Sequence, residues 1–100
     1  MADVRFSSAA RSDLVIIDEY SARQFGDDVT DVYARGFMEA FDLLARHPHA
    51  GAGWERLGEG IRCLTHRQHR IFYRIDGDTV LIARILHHAM DERAALRGKS

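Results

Sequence analysis

The first half of the chain has the spacing of apolar residues that is typical of a short strand followed by helices. Polar and apolar residues alternate over Asp3–Phe6, which predicts a strand, and the hydroxyls of Ser7 and Ser8 can cap a helix that follows. Residues three or four positions apart give this first predicted helix an apolar face: Ala10, Leu14, Ile17 and Tyr20. We expect the helix to end at Gly26, because glycine disfavours helix interiors.

A second predicted helix begins beyond Gly26, where Asp27 and Asp28 suit the positive end of a helix dipole. Its apolar stripe is wider than that of the first helix: Val29, Val32, Tyr33, Phe37, Ala40, Phe41 and Leu44. Pro48 disfavours helical geometry in the residue before it, so we expect this helix to end near His47. The two helices together predict an α-hairpin.

The second half of the chain predicts strands after a loop that contains Gly51, Gly53, Gly58 and Gly60. Three strand-like segments follow this loop: Ile61–Thr65, His69–Asp76 and Thr79–Leu86. Gly77 allows a compact hairpin turn between the last two, and the last strand is apolar on both faces, which favours a central place in the sheet. Two helices against one face of a mainly antiparallel sheet predict an α+β fold.

Composition limits the class of protein. The chain has 100 residues, 46% apolar and 29% charged, which is typical of one soluble globular domain over residues 1–100. No apolar run is long enough to span a membrane, and no basic start precedes an apolar stretch, so we expect neither a membrane span nor a secretory signal. Cys63 is the single cysteine; we expect it to be buried, and a reducing compartment such as the cytoplasm is its simplest location.

Charge is divided unevenly along the chain. Residues 1–50 hold five Arg against nine Asp and Glu, whereas residues 51–100 hold eight Arg and one Lys against six acids. No acid interrupts residues 61–75, which contain Arg62, Arg67, Arg70 and Arg74. Arginine suits fork-like contacts with carboxylates or phosphates, so this division indicates a surface for a macromolecular partner.

Several short patterns, in chain order, resemble those of one family. The helices contribute Asp13-Leu14, Phe25-Gly26, Leu43-Leu44-Ala45 and His47-Pro48. The strands contribute Gly60-Ile61-Arg62, His69-Arg70-Ile71-Phe72-Tyr73-Arg74, Ile85-Leu86-His87 and Met90-Asp91. Over about residues 5–92, the chain resembles the ParE-type toxins of the RelE/ParE toxin–antitoxin superfamily.

This resemblance implies a β-α-α-β-β-β fold, a cognate ParD-like antitoxin from the same operon, and growth arrest through inhibition of DNA gyrase. It implies no membrane partner, no cofactor and no direct sequence-specific binding of nucleic acid by this chain alone. Two alternatives remain open. RelE-like members cleave ribosome-bound mRNA, although the lysines common in their sites have no counterpart here, because the only lysine is Lys99. A non-toxic, degenerate member is the other alternative.

The candidate target-binding residues are Arg62, Arg70, Arg74, His87 and Met90. Arg70 and Arg74 share one face of their strand, and Arg62 on the neighbouring segment can join them. The structural alternative is a solvated sheet face, or pairing of these arginines with acids of the helices. No catalytic residue is expected of a gyrase binder; a ribonuclease would use Arg62 to stabilise phosphate charge and His87 or His88 to transfer protons.

Three other residues have simpler structural interpretations. Arg84 lies in an otherwise apolar strand and needs a carboxylate or several carbonyls if it is buried. Trp54 is expected to pack over the hairpin and anchor the glycine-rich loop, with an exposed contact residue as the alternative. The six histidines lack the spacing of a structural zinc site, so we expect no metal. Asp91–Leu96 predicts a last helical turn or two.

Overall fold

The computed structural model describes residues 1–88. Its elements are β1 (Asp3–Phe6), α1 (Ser8–Phe25), α2 (Asp27–Arg46), β2 (Ala52–Gly53), a 3₁₀ turn (Glu55–Leu57), β3 (Arg62–His66), β4 (His69–Asp76) and β5 (Thr79–His87). The predicted strands and helices are therefore confirmed to within a residue or so at their ends. The sequence did not predict β2 or the 3₁₀ turn. The predicted helical turn at Asp91–Leu96 lies outside the described residues.

The five strands form one sheet in the order β1-β5-β4-β3-β2. β1 pairs with β5 in parallel, and the other neighbours are antiparallel. β5 lies between β1 and β4, and β4 occupies the middle of the sheet. The mainly antiparallel sheet predicted from the sequence is confirmed, with β2 as an additional edge strand.

Local sequence signals fix the helix ends. The Ser7 hydroxyl accepts a hydrogen bond from the Ala10 N–H at 3.0 Å and donates to the Ala83 carbonyl at 2.7 Å, so it caps α1 and ties it to β5. Gly26 separates the helices at φ +87°, a conformation that favours glycine. α2 ends at Arg46, two residues before Pro48, as the sequence predicts.

The main core lies between the α-hairpin and one face of the sheet. The residues that form it are Ala10, Phe37, Ala40, Phe41, Leu44, Ile71, Tyr73, Val80, Ile82 and Ile85. Three residues that the sequence placed on the apolar helix faces are instead exposed. Tyr20 is 56% exposed, Val29 is 48% exposed and Val32 is 52% exposed. Tyr20 lies about 80° around the helix from Ala10, beyond the arc that the sheet covers.

A smaller core covers the other face of the sheet, which we call the open face. Its buried residues are Ile61, Cys63, Phe72 and Leu86, and Trp54 and Leu57 pack against them from the loop after β2. The expected burial of Cys63 and the anchoring role of Trp54 are both confirmed. Within residues 1–88, neither helix is long and apolar enough to cross a membrane.

Candidate interaction surfaces

An open apolar groove of about 320 Å³ runs between α1 and α2, and we call it the hairpin groove. It is lined by Leu14, Val15, Ile17, Asp18, Ser21, Thr30, Tyr33, Ala34, Phe37, Met38 and Phe41. Val15 and Met38 are 56% and 65% exposed although both are large and apolar. Exposed apolar side chains that line a groove of this size are typical of a contact site for another molecule.

At one end of the sheet, three histidines lie side by side on the face that carries the helices, and we call them the histidine row. His66 is paired with His69 across β3 and β4, and His69 is paired with His87 across β4 and β5. Tyr33 of α2 packs on His66 and His69, and its hydroxyl contacts His69 Nδ1 at 2.5 Å. Because Tyr33 also lines the hairpin groove, the two features share a side chain.

Two members of the histidine row, His66 and His69, lie in surroundings that disfavour their protonation. Burial lowers the pKa of His69 to about 4, and the neighbouring His87, His66 and His88 add to this effect. Burial also lowers the pKa of His66, with a further contribution from Arg67, while Glu39 acts in the opposite direction. The His66 and His69 imidazoles are therefore favoured in their neutral form at neutral pH.

Tyr33 responds to the same surroundings. Burial raises the pKa of the Tyr33 hydroxyl, and the nearby Arg67 partly opposes this shift. The Tyr33–His69 contact therefore joins a neutral phenol to a neutral imidazole at neutral pH. Neither group is poised to act as a charged nucleophile.

The open face carries Arg70 and Arg74, as the alternation of β4 predicts. The Arg70 guanidinium lies 5.3 Å from the centre of the Trp54 ring, and the Arg56 guanidinium lies 4.6 Å from it. Arg74 is exposed and donates a long hydrogen bond of 3.4 Å to the Glu59 carbonyl. These residues give the open face a cationic surface around a tryptophan.

Arg62 does not join Arg70 and Arg74. It lies opposite Tyr73 in the β3–β4 pairing, so its side chain projects from the face that carries the helices. There the guanidinium donates to the carbonyls of Gly51 at 2.6 Å and His49 at 3.1 Å. The position of Arg62 in the structure is explained by the loop that it holds.

The residues of the ribonuclease alternative are not brought together either. His87 and His88 lie beside Gln68, in the turn after β3, whereas Arg62 begins β3 at the other end. Arg62 and His66 are four positions apart along β3, which corresponds to about 13 Å. Met90 lies outside the described residues. Residues 1–88 contain no group of three His, Cys, Asp or Glu that could hold a metal ion.

Arg84 has the carboxylate partner that its burial requires, since its guanidinium contacts both carboxylate oxygens of Asp13. The sequence patterns did not predict the histidine row. The sequence shows His66 close to His69 and His87 next to His88. That His66, His69 and His87 lie side by side follows only from the register of the three strands.

Comparison with known proteins agrees with this architecture. The family model for the ParE toxin of the type II toxin–antitoxin system parDE matches residues 4–92. Toxin ParE1 of Caulobacter vibrioides is 36% identical over 96 residues, covering 96% of this chain and 99% of that toxin. Toxin ParE1 of Mycobacterium tuberculosis is 33% identical over 86 residues, covering 85% of this chain and 88% of that toxin.

Solved structures show the same fold. A chain of the chromosomal ParDE toxin–antitoxin system from P. aeruginosa has a TM-score of 0.75 at 22% identity, covering 87% of this chain and 96% of that chain. A chain of the RelBE2 toxin–antitoxin complex from Mycobacterium tuberculosis has a TM-score of 0.60 at 28% identity, covering 89% of this chain and 93% of that chain. The α-hairpin on a mainly antiparallel sheet is thus the fold of the RelE/ParE toxin superfamily. Within that superfamily, the chain belongs to the ParE toxin family of type II toxin–antitoxin systems.

Proposed function

We propose that this ParE-family toxin arrests growth by binding and inhibiting DNA gyrase, and that a cognate antitoxin neutralises it by occupying the hairpin groove. The observation that carries the antitoxin part is the exposed apolar lining at Val15 and Met38. An amphipathic helix that covers these side chains removes them from water. The structural relatives from P. aeruginosa and M. tuberculosis are components of toxin–antitoxin systems, which supports a partner of this kind.

The action on gyrase follows from the resemblance to ParE toxins and takes the form of binding. We assign the target contacts to Arg70 and Arg74 on the open face, to His87 at the end of β5, and to Met90, which follows three positions later in the sequence. Guanidinium groups beside Trp54 suit carboxylates on a protein surface. The separation of Arg62 from His87 supports binding over ribonuclease chemistry.

The antitoxin part is tested with two neighbouring residues of α1 that are similarly exposed. Val15 lines the hairpin groove and is 56% exposed, whereas Ile16 does not line it and is 63% exposed. Val15→Glu is expected to weaken binding of the co-expressed antitoxin by about 100-fold or more, since a charge enters an apolar contact. Ile16→Glu is the matched control and is expected to change the Kd less than about threefold. Equal effects, measured by calorimetry, would place the antitoxin elsewhere.

The target is tested with purified gyrase. The toxin is expected to inhibit supercoiling, and Arg70→Ala and Arg74→Ala are each expected to raise the half-inhibitory concentration about 3–10-fold. Arg23→Ala, an exposed change on α1, is the control. Codon-positioned cuts in ribosome-bound mRNA with unaffected gyrase would instead establish the RelE-like ribonuclease. An absence of growth arrest on expression without antitoxin would establish a non-toxic member.

A further inference from the structure

The hairpin groove changes in chemistry along its length. Its end farthest from Gly26 is apolar, with Leu14 of α1 and Phe41 of α2. Towards the turn between the helices, its lining becomes polar, with Asp18, Ser21 and Thr30. Ser21 and Thr30 are buried polar residues, at 7% exposure each. An occupant of the groove must therefore satisfy polar groups at one end and apolar groups at the other.

The hydroxyl groups at the polar end leave an acceptor available. Thr30 Oγ1 lies 2.8 Å from the Gly26 carbonyl oxygen and 3.1 Å from Ser21 Oγ. A hydroxyl carries one proton, and the carbonyl can only accept, so Thr30 donates to Gly26 and the Ser21 hydroxyl donates to Thr30. The lone pairs of Ser21 Oγ can then accept a hydrogen bond from an occupant.

The charge at this end is negative. The Asp18 carboxylate lines the groove one turn before Ser21, and over residues 1–88 no ion pair involves it. The α-hairpin as a whole, residues 8–46, holds eight Asp and Glu against four Arg. Docking of an uncharged segment would remove water from the exposed Asp18 carboxylate without supplying a donor, which is unfavourable. An acidic segment would in addition be repelled.

We propose that the antitoxin segment in the hairpin groove is an amphipathic helix that places a basic side chain, Lys or Arg, against Asp18 and Ser21. Its aliphatic side chains cover Val15, Phe37 and Met38. Leu14 and Asp18 are four positions apart, which is about one turn of α1. The partner helix therefore carries its basic residue about one turn away from the aliphatic residue that packs near Leu14. This inference rests on the proposed function, in which an antitoxin occupies the groove, and it specifies the charge of the segment that binds there.

The test compares two neighbouring acids of α1. Asp18→Lys and Glu19→Lys change the net charge equally, and both residues are exposed, but only Asp18 lines the groove. With the full-length toxin and the co-expressed antitoxin, Asp18→Lys is expected to raise the Kd by about 100-fold or more, and Asp18→Asn by about tenfold. Glu19→Lys is expected to change the Kd less than about threefold at 0.15 M salt.

A charge exchange completes the design. Replacement of the basic residue of the antitoxin by Glu is expected to weaken binding to the wild-type toxin and to restore binding to Asp18→Lys. Equal Kd values for Asp18→Lys and Glu19→Lys, or no restoration by the exchange, would overturn this inference while leaving antitoxin binding itself intact. An absence of antitoxin binding to the wild-type toxin would overturn the proposed function, and the inference with it. Circular dichroism of each variant checks that the fold is retained.

Discussion

Asp13 and Arg84, 71 positions apart in the chain, form a two-point ion pair between α1 and β5, with N–O distances of 2.8 and 2.9 Å. The same Asp13 carboxylate accepts the backbone N–H of Ile85 at 2.9 Å. β1 ends at Phe6, opposite Ile82, so beyond that point β5 has no strand neighbour on this side. Asp13 thus supplies the acceptor that the missing strand would otherwise provide.

Asp13→Ala is therefore expected to be strongly destabilising. It leaves the Arg84 guanidinium and the Ile85 N–H without this acceptor, and we expect the free energy of unfolding to fall by about 2–4 kcal/mol. Urea unfolding at neutral pH measures the change. Asp3→Ala is the control, because the Asp3–Arg5 pair is largely exposed and its loss is expected to cost less than about 1 kcal/mol. Comparable losses in the two variants would contradict the role of Asp13.

Stability is expected to fall as the pH is lowered from about 6.5 towards 4. The pKa of His69 is about 4 in the folded protein and 6.5 in the unfolded chain, so between these values the unfolded chain binds more protons. Above pH 6.5, His69 is neutral in both the folded and the unfolded chain, and its effect on stability is absent. Below pH 4, His69 is protonated in both, and the loss of stability levels off. The lowered pKa of His66 acts in the same direction.

Urea unfolding of the wild type and of His69→Phe over this pH range isolates the contribution of His69. The difference in the free energy of unfolding between the two proteins is expected to be constant above pH 6.5 and to change steadily as the pH falls below it. NMR titration of the His69 ring protons is expected to show a midpoint near pH 4. A midpoint near pH 6.5 would mean that the surroundings of His69 do not suppress its protonation.

The two helices and the four longer strands could be predicted because each has its own local signal, but the contacts of the candidate site depend on information that is not local. Apolar spacing located both helices and the three long strands. β2 has only two residues, which is too short for an alternating pattern to be detected. The histidine row requires the register of three strands, and the placement of Arg62 beside the loop after α2 requires the tertiary fold.

Gly36 is predicted to be intolerant of alanine although it lies inside a helix. A Cβ at this position would lie 2.8 Å from two atoms of the His66 ring. Alanine normally stabilises a helix by about 1 kcal/mol relative to glycine, but this clash displaces the ring or the helix. We expect Gly36→Ala to destabilise the protein by about 1–2 kcal/mol in urea unfolding.

Two variants separate the clash from a general effect of removing glycine. Gly53→Ala is the control, because no atom lies within 4 Å of a Cβ built there. In the background of His66→Ala, the change Gly36→Ala is expected to become stabilising, since the ring is absent and the helix preference remains. Destabilisation of equal size in both backgrounds would show that His66 is not the cause.

Arg62 and Tyr73 are predicted to act together on the segment between α2 and β2. The Tyr73 hydroxyl accepts from the Gly51 N–H at 2.9 Å and donates to the Pro48 carbonyl at 2.6 Å, while Arg62 donates to the Gly51 carbonyl. Tyr73→Phe leaves the buried Gly51 N–H without its acceptor, and we expect a loss of about 1–3 kcal/mol. Tyr20→Phe, at a tyrosine that is 56% exposed, is the control.

The pairing of these two residues determines how an Arg62 variant must be interpreted. Because both side chains hold Gly51, a double-mutant cycle of Arg62→Met and Tyr73→Phe is expected to give a coupling energy of about 0.5–2 kcal/mol. Arg74→Ala, on the open face, is expected to show no coupling to Tyr73→Phe beyond about 0.5 kcal/mol. If Arg62→Met reduces toxicity in proportion to its loss of stability, Arg62 acts by holding the loop. A loss of gyrase inhibition at unchanged stability would instead make Arg62 a direct contact with the target.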